Sequence, residues 1–246
     1  MHDRSNRLAA WPAAHERAAI TRGALVLLAL GAACRPPHAT VDPNAPLPAN
    51  AENTAVASNA AADSLLVDLA TVTPPPIVEL RYATSNNFTG APLPGYEANR
   101  AFLRREAAAA FQRDSTALAA QGYRLKVWDG YRPVRATNAM VAWTQRLGRT
   151  DLLRDGYIAE RSRHNLGLAV DCTIVDARTG AELDMGTGFD TFSKAAHTYT
   201  ASGTQLANRL ILRRAMSAAG FVPYDDEWWH FAVPIANAPR FDRVIR

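Results

Sequence analysis

Cysteine is nearly absent from this 246-residue chain. Cys34 and Cys172 are the only two, too few for a disulfide scaffold. No apolar run approaches the roughly 20 residues that a bilayer-spanning helix needs, which excludes a multi-span membrane protein. An excess of one charge is missing too. The formal net charge is +4, but four arginines and two acids fall in the first 33 residues, leaving 23 basic against 21 acidic side chains in the rest. No Lys/Arg cluster forms an electrostatic footprint, so nucleic acid is excluded as a partner. No internal repeat is visible. What the chain does have is ordinary: 48% hydrophobic and 20% charged residues rule out wholesale disorder, and the length suits one domain with attachments.

Arg4, Arg7, Arg17 and Arg22 precede the apolar run Gly23-Ala-Leu-Val-Leu-Leu-Ala-Leu-Gly-Ala-Ala33. A basic flank, a short apolar core and small residues at its exit predict a secretory signal peptide over residues 1–33, and with it export to the periplasm or cell envelope. A buried core helix fits less well, because Cys34-Arg-Pro-Pro would stop it at once. Cys34 after Gly31-Ala-Ala33 resembles a bacterial lipoprotein cleavage site, whose cysteine carries a lipid anchor. The alternative is plain cleavage to a soluble form. Residues 34–62 are rich in Pro, Ala, Asn and Thr and read as a disordered linker. Residues 63–246 form the expected folded domain.

Within that domain, strands are expected at 77–82, 123–128, 168–175 and 228–233. Helices are expected at 103–121, from Pro133 to Leu147, and at 203–219 with Leu206, Leu210 and Ile211 facing inward. Helices and strands mix without regular βαβ alternation. The expected class is α+β, one domain with a central, mainly antiparallel sheet flanked by helices.

Three short stretches carry chemistry. In Ser162-Arg-His-Asn-Leu-Gly-Leu-Ala-Val-Asp171, Gly167 permits a bend that brings His164 over the strand bearing Asp171, although a surface histidine and a strand-end aspartate would also satisfy the spacing. In Asp225-Asp-Glu-Trp-Trp-His-Phe231, Glu227 and His230 would face opposite sides of an ideal strand, so Glu227 must sit in the turn before it. His164, Asp171 and His230 are then able to hold one Zn2+ and leave a fourth position open, the pattern of a catalytic site. Glu227 becomes the natural base. At least one of the two tryptophans is expected to be core packing. In Trp128-Asp-Gly-Tyr-Arg-Pro133, Arg132 is either a solvated cation or the guanidinium that steadies a developing oxyanion.

Ser-x-His-x-x-Gly-x-Ala-x-Asp, Glu-x-Trp-His and Gly-Tyr-Arg-Pro together resemble the D-alanyl-D-alanine dipeptidase family of zinc peptidases. Leu80 to Gly90 and Met185 to Ser193 resemble two further family segments, so the likeness spans about residues 63–231. It implies the small zinc-peptidase core shared with D,D-carboxypeptidases and the hedgehog signalling domain. By that resemblance one zinc ion per chain is held by His164, Asp171 and His230, Glu227 is the general base and Arg132 polarises the scissile carbonyl. Tyr82, Ser162 and Asp190 would surround a small dipeptide substrate, with Asp190 near its ammonium group. The rival expectations are a zinc D,D-carboxypeptidase acting on peptidoglycan stem peptides and a non-catalytic, zinc-stabilised binding module. Cys172 departs from the aliphatic residue usual beside the ligand and is expected in the core, pointing away from the metal. The tail from Ile235 is assigned no function.

Overall fold

The structure, a computed structural model, describes residues 55–246. The expected leader, Cys34 and most of the linker lie outside the described residues. Folded structure begins before the expected boundary at residue 63. β1 (Val56–Ala57) and α1 (Asn59–Leu65) precede β2 (Leu66–Asp68), and the Ser58 hydroxyl caps α1 by accepting from the Ala61 N–H at 3.2 Å. β1 finds its partner at the far end of the chain, in β9 (Arg240–Phe241), with which it runs parallel. A composition-based boundary misses a pairing of that kind, because nothing local announces it.

The next elements differ from expectation at their edges. β3 (Ile77–Val78) is shorter than the expected strand, and a 3-10 helix at Arg81–Ala83 turns Tyr82 into the protein interior. Leu103 belongs to β4 (Phe102–Arg104), which pairs antiparallel with β2, and the helix α2 (Arg105–Ala119) starts only afterwards. Its Ala107, Phe111 and Leu118 form the buried stripe as expected. β5 (Tyr123–Asp129), α3 (Val134–Arg146), the short α4 (Asp151–Arg154) and β6 (Ala169–Asp176) follow. α5 (Gly203–Ala218), β7 (Val222–Pro223) and β8 (His230–Ala232) complete the core.

The fully buried residues of α5 are Arg209, Leu212 and Met216; of the expected Leu206, Leu210 and Ile211, Ile211 packs against the core from a half-buried position and the two leucines do not join it. A purely apolar count could not find this face, because Arg209 is buried with its guanidinium donating to the carbonyls of Met185, His197 and Ala195 at 2.7, 2.7 and 3.0 Å. Satisfied donors make that burial affordable in free energy.

The central sheet has the order β3-β5-β6-β8-β7, parallel between β3 and β5 and antiparallel elsewhere. Its class is the expected α+β. Two register features position the site. Asp171 on β6 lies directly opposite His230 on β8. On the other side, β5 pairs Val127 with Cys172 and then skips, so that Asp129 rather than Trp128 faces Asp171. The extra residue is a bulge, which re-aims side chains. Three adjacent strands thus lay Asp129, Asp171 and His230 in one row. Cys172 is buried and projects the other way, as expected of its alternation.

Candidate active site

His164 is delivered by a 3-10 helix, Arg163–Leu166, bounded by two devices. Ser162 caps it, its hydroxyl accepting from the His164 N–H at 3.2 Å, while Asn165 reaches back to the Ser162 N–H at 3.3 Å. Gly167 ends it with φ 68°, and a Cβ there would stand 2.8 Å from Leu66 Cδ2 and 2.9 Å from the Arg104 backbone nitrogen. Only glycine satisfies both conditions. The Nδ1–H of His164 donates to the Gly130 carbonyl at 2.7 Å, which fixes the tautomer and leaves the Nε2 lone pair free.

That Nε2 lies 3.2 Å from His230 Nδ1 and 3.3 Å from Asp171 Oδ2, and His230 Nδ1 lies 3.0 Å from Asp171 Oδ1. Ligand bonds of about 2.0–2.2 Å in a tetrahedron separate neighbouring donors by about 3.3 Å, so two imidazoles and a carboxylate at these spacings fit a zinc ion. Among the described residues this trio forms a metal-competent cluster, all donor atoms lying within 4.8 Å of one another. Its electrostatics agree. Burial lowers the His230 pKa and so favours the neutral, metal-binding form of the ring, with Asp171 opposing only in part. Burial alone would raise the Asp171 carboxyl, but the imidazoles of His164 and His230 outweigh it and hold it well below the usual range.

All eight side chains singled out from the sequence line one cleft of about 530 Å3. Glu227 occupies the turn between β7 and β8, as the spacing required, with its N–H on the Tyr224 carbonyl. Its half-buried carboxylate makes no hydrogen bond or ion pair among the described residues. Desolvation, reinforced by the carboxylates of Asp171 and Asp190, raises its pKa well above the ordinary value. Its acidic neighbours go elsewhere: Asp225 pairs with Arg213 at 2.6 Å and Asp226 with His197 at 3.2 Å. Trp228 and Trp229 are both buried.

Arg132 is not a solvated surface cation. Its guanidinium is packed over the Tyr82 ring at 5.0 Å and paired with Asp129 at 2.8 Å. Asp190 sits at φ 57°, a backbone position aspartate tolerates at some cost, and accepts from the Tyr82 hydroxyl at 3.0 Å. Desolvation, reinforced by the Asp171 carboxylate and opposed only in part by the Arg132 guanidinium, pushes its carboxyl up to about 8. Ser162 lines the cleft, although its oxygen is already committed as a cap.

Sequence reasoning missed Asp129 and Asn165. Asp129-Gly130 reads as a turn, yet Asp129 is fully buried and contacts Arg132, Tyr96 and His164. Asn165 donates to the Arg132 carbonyl and to Thr137 Oγ1, both at 2.9 Å, and so binds the arginine loop to the histidine loop. The available signal was the motif position itself, an acid three residues before the arginine of the Gly-Tyr-Arg-Pro motif.

Two imidazoles and a carboxylate on the floor of a cleft, flanked by an unpaired glutamate and a fixed arginine on an α+β scaffold, define a metallopeptidase. The chain belongs to the D-Ala-D-Ala dipeptidase family, whose model (Peptidase_M15) matches residues 62–244. It is 36% identical to the D-alanyl-D-alanine dipeptidase of Enterococcus faecium over 171 residues, covering 63% of this chain and 84% of that protein. The Streptomyces coelicolor enzyme of the same name is 36% identical over 63% of this chain and 84% of its own length. The Escherichia coli one is 37% identical over 70% and 86%. A solved D,D-pentapeptidase in complex with Zn(II) matches at 18% identity over 55% of this chain and 74% of that chain, with a TM-score of 0.35, too low to bear on function.

Proposed function

We propose that this protein hydrolyses the dipeptide D-alanyl-D-alanine, with one zinc ion held by His164, Asp171 and His230. The observation that carries the reading is Glu227, an uncommitted carboxylate with a raised pKa beside a metal-competent trio. A site that used metal for stability alone would need neither it nor Arg132. When bound, zinc supplies Lewis-acid polarisation of the carbonyl and acidifies water. The chain's own residues do the rest. Asp190, oriented by the Tyr82 hydroxyl, pairs with the substrate ammonium and fixes the dipeptide's end. Arg132 faces the carbonyl oxygen and holds the negative charge that develops there. Glu227 takes a proton from the attacking water and passes it to the leaving amine.

Asp190 also explains why a dipeptide is favoured over a longer stem peptide. A substrate acylated at that nitrogen carries no ammonium and leaves the carboxyl unmatched. The test is to assay purified protein on D-Ala-D-Ala and on a pentapeptide ending in D-Ala-D-Ala, with and without a chelator. The account expects dipeptide turnover that is lost on chelation and restored by zinc. Preference for the pentapeptide would make the protein a D,D-carboxypeptidase, and turnover of neither by the zinc-loaded protein would make it a binding module.

Residues 1–33 support a second proposal, export to the cell envelope, on their sequence alone. No helix among the described residues is long and apolar enough to cross a membrane.

A further inference from the structure

Asp129 takes no part in the steps above, yet its carboxylate is surrounded by donors. Oδ1 accepts from the Tyr96 hydroxyl at 2.6 Å. Oδ2 accepts from Arg132 Nε at 2.9 Å and pairs with Nη2 at 2.8 Å. The same oxygen stands 3.4 Å from His164 Nδ1, beside the bond that this nitrogen makes to Gly130. The second carboxylate near the guanidinium is the metal ligand Asp171, whose Oδ2 is 3.8 Å from Arg132 Nη2. Arg132 therefore lies between two acids and is an ångström closer to one of them.

A buried guanidinium that loses its partner turns to the nearest remaining anion, because an uncompensated charge in that environment is costly. With Asp129 neutralised, the nearest anion is Asp171. Such a swing would withdraw Arg132 from the cleft and would also draw on the electron pairs that Asp171 needs for the metal. We infer that Asp129 is a positioning residue: it holds the Arg132 guanidinium off Asp171, keeping the arginine aimed at the substrate carbonyl and the ligand free for zinc. The fold builds this separation deliberately into the sheet. The β5 bulge replaces Trp128 by Asp129 opposite Asp171, placing the second acid in the same row as the ligand. Gly130 contributes by close approach, since a Cβ there would lie 2.7 Å from the Phe102 carbonyl oxygen, and its own carbonyl orients His164.

This inference rests on the hydrolytic reading, and the experiment separates the two. Asp129→Asn, Arg132→Ala and the double variant are compared with the wild type for kcat, KM and zinc retention against a graded chelator. Asp129→Asn is expected to lower kcat by about 10²-fold with KM changed only a few-fold, as misplacing a charge-stabilising donor does. It should lose zinc at lower chelator concentration than the wild type. In the Arg132→Ala background, Asp129→Asn should cost little more in kcat and should no longer weaken zinc retention. Unchanged kcat in Asp129→Asn overturns the inference, and so do losses that multiply in the double variant. Should Asp129→Asn not fold, Tyr96→Phe loosens the same carboxylate, with a several-fold fall in kcat expected that disappears beside Arg132→Ala; no fall, or one that persists there, overturns it. A wild type inactive on the dipeptide refutes the hydrolytic reading instead.

Discussion

Each side chain in the cleft is fitted to one task by what it touches and by what it leaves untouched. Glu227→Gln preserves shape and removes the base, so zinc content should stay at one per chain while kcat falls by about 10²-fold or more. His164→Ala should lose the metal itself. Metal analysis beside turnover separates the two, and full turnover by Glu227→Gln would remove the base assignment. Asp190→Asn keeps the size of the side chain and loses the anion. The expected result is a KM for the dipeptide raised by about 10-fold or more, with little change for an N-acylated substrate, in line with the worth of a charged hydrogen bond. At this scale the sequence was most legible, because metal ligands and a base demand particular residue types at fixed spacings. All eight expected residues reach one cleft. Asp129 escaped because aspartate before glycine is a common turn pair, and its partners Tyr96 and His164 are 33 and 35 positions away in the chain.

Elements were legible where periodicity dominates and obscure where polar groups are buried. The face of α2 follows from its apolar stripe, whereas α5 turns a satisfied arginine inward and so presents a different face than a count of leucines predicts. The strand at Ile77 stops early because the chain must turn Tyr82 toward Asp190. The bulge in β5 leaves no local signature, since its meaning is register with β6. Gly167→Ala places a Cβ against the backbone of β4 at a positive φ, and at about 1–3 kcal/mol for such strain it should lower the unfolding midpoint measurably. Because the same turn aims His164, zinc affinity should fall with stability. A variant as stable as the wild type, with zinc binding intact, would show that the turn tolerates a side chain.

Over the whole molecule, the two chain ends of the described fold meet. β1 pairs with β9, and the tail to which the sequence assigned no function clamps the Arg132 loop: Asp242 binds Arg135 at 2.9 Å and the Arg243 carbonyl accepts from the Tyr131 hydroxyl at 2.8 Å. Behind the sheet, Asp114 on α2 is buried with neither carboxylate oxygen hydrogen-bonded, and burial pushes its carboxyl up to about 7. An acid whose folded pKa is raised binds its proton more tightly in the folded state. Its stabilising contribution is complete below about pH 4 and is lost as pH rises to about 7, at up to about 1.4 kcal/mol per pH unit. Asp114→Asn should remove that slope, so the difference in unfolding midpoint between variant and wild type should shift in favour of the variant from pH 4 to pH 7 and then level off. A constant difference across that range would mean that Asp114 ionises normally. For the export proposal, mass analysis of protein recovered from cell fractions should find the chain shortened by about 33 residues in the envelope, the length of the leader pattern. An intact amino terminus in the cytoplasm would contradict it.

The direct measurement of the central claim is anomalous diffraction at the zinc edge from crystals of the purified protein. The account predicts one peak per chain within bonding distance of His164 Nε2, His230 Nδ1 and the Asp171 carboxylate, with Glu227 beside it and uncoordinated. A peak elsewhere, or none in protein grown with zinc, would contradict it.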